Sequence, residues 1–240
     1  MVQTLAQVHR GQRVAPCGVG MVLAAMVGVV VVAGTIPGCA SQRIAMAEAF
    51  GYAKREQLVD KVLAARDSQT EAKKQFETAL QQFLAVTGTG TSPDVKELEA
   101  RYEKLRAEYE RSETRAKAVT GKIEGVETVA GALFSEWRTE LSQYSSDTMR
   151  RASEKQLDDT VRQYDRLIGA MKNAESKMPP VLAAFKDQVL FLKHNLNARA
   201  IASLQGTSAQ IQSDVAGLVR EMEASIAEAN AFIEQVGEGQ

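Results

Sequence analysis

Cysteine, histidine and aromatic residues are scarce in this 240-residue chain, and each scarcity excludes something. Two cysteines, Cys17 and Cys39, cannot build a disulfide framework. Two histidines, His9 and His194, leave a helical metal site with poor raw material, and there is no Glu-x-x-His pair. Aromatics make up 5% of the chain. Four of them, Tyr102, Tyr109, Trp137 and Tyr144, are expected in the core, because a base-stacking platform needs Lys and Arg interleaved on the same face. A formal charge of −1 argues against a protein that wraps nucleic acid. The composition, 45% hydrophobic and 25% charged, excludes wholesale disorder, and the length allows one domain or at most two.

The first forty residues read as an address. Residues 1–38 contain no Asp or Glu and carry Arg10 and Arg13 ahead of an uncharged run from Val19 to Gly34. That run has 16 residues, short of the ~20 a membrane-spanning helix needs. A basic start, an apolar stretch and a small-residue end make a secretory signal. The end reads Ile36-Pro37-Gly38-Cys39 and resembles the bacterial lipobox: a branched apolar residue, a small residue, then the cysteine that takes a diacylglycerol. Pro37 departs from the usual Ala or Ser. Ala40, in place of Asp, resembles outer-membrane sorting in Gram-negative lipoproteins. An uncleaved inner-membrane signal anchor is the alternative. Cys17 precedes the apolar run and is no rival acceptor. Cleavage before Cys39 lowers Lys and Arg from 29 to 27 against 30 acids, a charge of −3. Acyl chains on Cys39 anchor at ~0.8 kcal/mol per buried CH₂.

The remainder, 39–240, is expected to be one all-α domain, an elongated antiparallel coiled-coil or long-helix bundle of three to four helices. Leu58, Val62, Ala65, Gln69, Ala72, Phe76, Ala79, Phe83 and Val86 alternate spacings of four and three, and only Gln69 is polar. A second seam runs Val95, Leu98, Tyr102, Leu105, Tyr109, Ser112, Ala116, Val119, Ile123, Val126, Ala130, Leu133, Trp137, then shifts phase to Leu141 and Tyr144. A third resumes at Leu157, Val161, Tyr164, Ile168, Met171 and Met178; a fourth holds Leu182, Phe185, Val189, Leu192, Leu196, Leu204, Ile211, Val215, Leu218, Met222, Ile226, Ala229 and Ile233. Helices are expected at about 44–87, 93–144, 147–178 and 180–236. Gly88 ends the first, Ser92 and Pro93 start the second, and Pro179-Pro180 end the third. Two closures are open. A central element from about 93 to 178 spans ~125 Å if unbroken, with the outer helices folded back on its halves. A break at Ser145-Ser146 gives a shorter four-helix bundle. The elongated closure is preferred.

No nucleophile or metal motif occurs. The Gly121-Lys122 pair lacks the surrounding P-loop pattern, with Ala116 and Ile123 at positions that need Gly and Ser or Thr, and it falls within a heptad run. Clustered charges such as Asp158, Asp159, Arg162, Asp165 and Arg166 are solvated helix faces. One polar cluster interrupts the apolar spacing: Lys193, His194, Asn195, Asn197 and Arg199. It reads either as a layer that fixes helix register or as a partner-contact patch.

Three strings carry a family resemblance: Lys54-Arg55-Glu56-Gln57-Leu58-Val59-Asp60 with Ala65-Arg66-Asp67; Ala132-Leu133-Phe134-Ser135-Glu136-Trp137 with Gln143-Tyr144-Ser145; and the run from Asp187 to Leu204. Over about residues 46–236 the chain resembles the bacterial domain of unknown function 2959 family. The resemblance implies an envelope lipoprotein of a Gram-negative bacterium and brings no activity, substrate or catalytic residue. Some relatives carry the label DNA repair ATPase, which the missing P-loop and the export signal contradict.

The resulting expectation is a protein without enzymatic activity and without a cofactor. It is lipid-anchored at Cys39 on the periplasmic side of the outer membrane and has a structural or protein-interaction role. Its partners are the membrane and envelope proteins, not nucleic acid, and the seams allow a homo-oligomer. A membrane-shaping helical module like a BAR domain is the alternative; a chromosome-associated coiled-coil protein ranks below both.

Overall fold

The computed structural model describes residues 39–88, 94–195 and 197–237. The leader expected at 1–38, with Cys17 and the lipobox residues Ile36, Pro37 and Gly38, lies outside the described residues, as do Ser92, Pro93 and Leu196. The chain divides into two units, Met1–Cys39 and Ala40–Gln240, and the architecture below is that of the second.

The apolar seams form four helices: α1 (Cys39–Thr87), α2 (Val95–Leu141), α3 (Asp147–His194) and α4 (Ala198–Gly237). No strand occurs among the described residues. Polar pairs fix the directions. On α1 and α2, Lys54 meets Glu136 at 2.5 Å, Glu71 meets Arg115 at 2.5 Å, and the Ala85 carbonyl accepts from Arg101 at 3.0 Å. Numbers rise on one helix as they fall on the other, so the two are antiparallel. Arg66–Asn230, Lys73–Glu223 and Thr87–Gln205 set α1 and α4 the same way. Trp137–Ser153 and Glu127–Lys172 do so for α2 and α3. α3 also packs along α4. The result is an up-down-up-down four-helix bundle with α1 and α3 on one diagonal. Across that diagonal Phe83 and Phe185 meet edge to face, ring centres 6.4 Å apart.

The preferred elongated closure is therefore wrong, and the reason is local. At the end of α2, Ser142 donates its hydroxyl to the Thr139 carbonyl at 2.8 Å, and the Gln143 amide bonds the Glu140 carbonyl at 2.8 Å. Ser146 then caps α3, its Oγ accepting from the Met149 amide, and Asp147 adds an acid to the first turn. Stop and start signals stand four residues apart, and the chain reverses between them.

The expected helix end at Pro179-Pro180 is also corrected. α3 runs through both prolines to His194. Met171, Ala174, Met178, Val181, Phe185, Val189 and Leu192 are all buried. Their spacing of three and four is unbroken across the prolines, which lie exposed on the outside. Core burial on both sides outweighs two lost backbone hydrogen bonds. The helix ends instead at Asn195, whose side-chain Nδ2 donates to the Phe191 carbonyl at 3.0 Å. Asn197 restarts the chain by accepting from the Ile201 amide at 3.2 Å through its backbone carbonyl. Asparagine competes with the helix for backbone groups.

At the other boundary, Asp94 rather than Ser92 caps α2, its carboxylate accepting from the Glu97 amide at 2.7 Å. Val95, expected to open the second seam, is 65% exposed in the first turn, and Tyr144 is 42% exposed beyond the last. From Leu58 to Val86 and from Leu98 to Leu133 the seams are otherwise largely buried as expected. In α4 the seam runs Ile211, Val215, Leu218, Met222, Ser225, Ala229, Phe232 and Val236, so Ser225 and Phe232 replace the expected Ile226 and Ile233.

Candidate functional site

Three places in the bundle hold polar chemistry. The first is a layer in the middle of the core. Gln69 and Ser225 are both fully buried, and the Ser225 hydroxyl donates to Gln69 Oε1 at 2.8 Å. Gln69 Nε2 finds no partner. A paired polar layer in an apolar seam disfavours slipped registers, because a slip buries both groups unpaired. Ser225→Ala is expected to cost about 1–3 kcal/mol by leaving Gln69 Oε1 unsatisfied. Adding Gln69→Leu is expected to restore most of that loss in urea unfolding; a single variant as stable as the parent would contradict the pairing.

Nearby, Glu108 is 8% exposed. Its carboxylate accepts from Gln75 Nε2 at 2.8 Å and from Arg111 at 2.9 Å. Glu108 and Arg111 border a shallow open groove between α1 and α2, with Gln82, Glu103, Lys104 and Ala107. The hydrogen bonds of Glu108 tie α1 to α2, and nothing in the groove supplies a nucleophile beside a base.

The second place is the end that carries the α2–α3 turn. Ser153 Oγ accepts from Trp137 Nε1 at 2.8 Å and from the Tyr144 hydroxyl at 3.4 Å. The Arg55 guanidinium lies over the Trp137 ring, 5.4 Å from its centre. Burial pushes the Glu140 carboxyl above its ordinary value; Glu136 one turn away adds to this and Lys54 opposes it. Further along, burial among α2 and α3 pushes the Tyr164 hydroxyl up to about 12, helped by Glu127 and Asp165. Tyr164 packs edge to face on Phe134 at 5.3 Å. Two of the strings that carry the family resemblance, one from α1 and one from α2, meet at this end.

The third place is the opposite end, where the α3–α4 turn holds the predicted polar patch. Lys193 and His194 are exposed in the last turn of α3, Asn195 is the C-cap, and Asn197 is exposed in the turn. Arg199 lies in the first turn of α4. Lys193, His194 and Asn197 thus face solvent at a helix–helix connection, which does not fit a buried register layer. The register layer is Gln69–Ser225. Gln69 is visible in the sequence as the one polar residue of its seam, whereas its partner Ser225 stands beside the more hydrophobic Ile226, the expected seam position. Leu190 and Phe191 are 47% and 39% exposed beside the turn.

Among the described residues, no three His, Cys, Asp or Glu side chains stand close enough to hold a metal ion. Nor is any described helix long and apolar enough to cross a membrane. Cys39 is the first residue of α1.

Architecture and contacts define an antiparallel bundle of long helices bound by side-to-side ion pairs and polar layers. The model of the family described as "Protein of unknown function (DUF2959)" matches residues 44–236, and the chain belongs to that family. No curated protein and no solved structure matches it.

Proposed function

We propose that the protein is a non-enzymatic, lipid-anchored envelope protein whose bundle acts as a structural or protein-interaction rod on the periplasmic side of the outer membrane. One observation carries this reading. Arg10, Arg13, the apolar run and Ile36-Pro37-Gly38 lead directly into Cys39, and Cys39 is also where α1 begins. Export, acylation and folding boundaries thus coincide at one residue. The α1 helix of 49 residues then sets a reach of about 70 Å from the anchor, at 1.5 Å per residue. Partners are proteins met along the exposed faces and at the α3–α4 end, where Lys193, His194, Asn195, Asn197 and Arg199 stand with Leu190 and Phe191. The membrane-shaping alternative rests on long kinked helices of this total length. Helices of 40–49 residues closed into an antiparallel bundle weaken that motive.

Photocrosslinking in intact cells tests the interaction role. A photoreactive residue at position 190 or 194 is expected to capture discrete envelope proteins. The same residue at buried position 171 is expected to capture none. Identical, diffuse products at all three positions would contradict a rod with specific partners.

A further inference from the structure

The buried stripe of α3, with Met171, Met178, Phe185 and Leu192, fixes which residues of that helix face away from the bundle. On the opposite side, positions 151, 155, 158, 162 and 165 alternate spacings of four and three and are all exposed. They hold Arg, Lys, Asp, Arg and Asp, a charge at every turn with both signs mixed. Further along the same stripe, positions 176, 180, 183, 187, 190 and 194 are exposed as well, and the chemistry changes. They hold Ser, Pro, Ala, Asp, Leu and His, with Phe191 exposed beside Leu190. A single outward face thus has a charged, solvated half and a largely apolar half.

Two further observations fall on the apolar half. Pro179 and Pro180 lie there, exposed within the helix. Interior prolines cost a helix, and these two add no packing inside the chain; folded proteins break such local rules at functional surfaces. The other observation is charge. From Ser176 to His194 the chain carries Lys177, Lys186 and Lys193 against Asp187 alone, although the whole chain is −1. Positions 172, 179, 186 and 193 form a row spaced by seven along one edge of the face and hold Lys, Pro, Lys and Lys. Lys172 is taken by Glu127. Lys186 and Lys193 are exposed and form no ion pair among the described residues. A row of cations at heptad spacing beside an apolar row is the edge of a helix–helix seam, where charge selects the partner.

We propose that the outward face of α3 from Pro180 to His194 is a docking surface for an acidic amphipathic helix of an envelope partner. The partner helix lays its apolar stripe over Ala183, Leu190 and Phe191 and sets Asp or Glu, spaced by seven, against Lys186 and Lys193. The contact runs about 20 Å along α3. Its apolar rows supply the buried area, and the lysines reject basic helices. This names the class of partner for the interaction role proposed above and rests on that role.

The test is photocrosslinking of the full-length protein in intact cells, with the adducts mapped to peptides. Photoreactive residues placed separately at 183 and 190 are expected to join the same partner segment, one with a helical apolar stripe and with Asp or Glu spaced by seven. Lys186→Glu combined with Lys193→Glu is expected to lower that adduct at least about tenfold. The urea midpoint should stay unchanged, because both lysines are exposed. Changing the acids of the mapped segment to lysine is expected to restore the adduct. Discrete adducts on a segment without acidic residues, or a yield that the double reversal leaves unchanged, overturn the acidic-helix dock and leave the interaction role standing. The absence of any discrete protein adduct at 183, 190 and 194 overturns both.

Discussion

Phe83→Ala is expected to lower the unfolding free energy by about 3–5 kcal/mol, the cost of deleting a fully buried phenylalanine together with the cavity it leaves. Phe83 has no exposed surface and meets Phe185, equally buried, edge to face across the core. The loss is a large part of the 5–15 kcal/mol typical of a folded domain. The informative quantity is the coupling between the two rings. In a double-mutant cycle, Phe185→Ala on the Phe83→Ala background is expected to cost less than on the parent, by about 0.5–1.5 kcal/mol. In the elongated closure, Phe83 and Phe185 would lie at opposite ends of a ~125 Å element and their effects would simply add. Additivity within error in urea unfolding would thus contradict the four-helix bundle itself.

The second large effect has the opposite sign. Replacing both Pro179 and Pro180 with alanine is expected to stabilise the protein by about 2–4 kcal/mol. An interior proline costs a helix about 3 kcal/mol, partly offset because proline also restricts the unfolded chain. Both prolines are exposed, so neither contributes packing that alanine would lose. Restored amides at 179 and 180 reach the carbonyls of Glu175 and Ser176. The urea midpoint should rise with little change in slope. A lower midpoint would mean that the chain turns at this pair, as the local proline rule alone predicts.

Those two prolines also show what the sequence could and could not reveal. The heptad spacing from Leu58 to Val86 and from Leu98 to Leu133 was legible because each position is decided by its neighbours on the same helix. The run through Pro179 and Pro180 was not. A strong local rule pointed to a break, and only the burial of Met178 and Val181 against other helices reverses it. Strict alternation of four and three from Ile211 selects Ser225 and Phe232 in α4, whereas hydrophobicity favours Ile226 and Ile233. Glu108 offers no local signal at all, because its burial depends on Gln75 of another helix. The Ser145-Ser146 break was legible as an option, and the hydroxyls of Ser142 and Ser146 decide it. The polar residues from Lys193 to Arg199 interrupt the apolar spacing in the sequence. That they form a turn, and not a layer, depends on Asn195 bonding the Phe191 carbonyl.

The same contrast applies to the candidate sites. Cys39 is recognisable from contiguous residues, since a leader and lipobox are read as a linear string. The Trp137–Ser153–Tyr144 cluster with Arg55 is not, because it needs α1, α2 and α3 together.

The account stands or falls on the first residue of α1. Metabolic labelling with radioactive palmitate, followed by separation of inner and outer membranes, compares the wild type with Cys39→Ala. Label on the wild-type protein in the outer-membrane fraction, absent from the variant, is the expected result, because no other cysteine follows the cleavage point. Unlabelled wild-type protein in the soluble cytosolic fraction would contradict the anchor and the envelope assignment together.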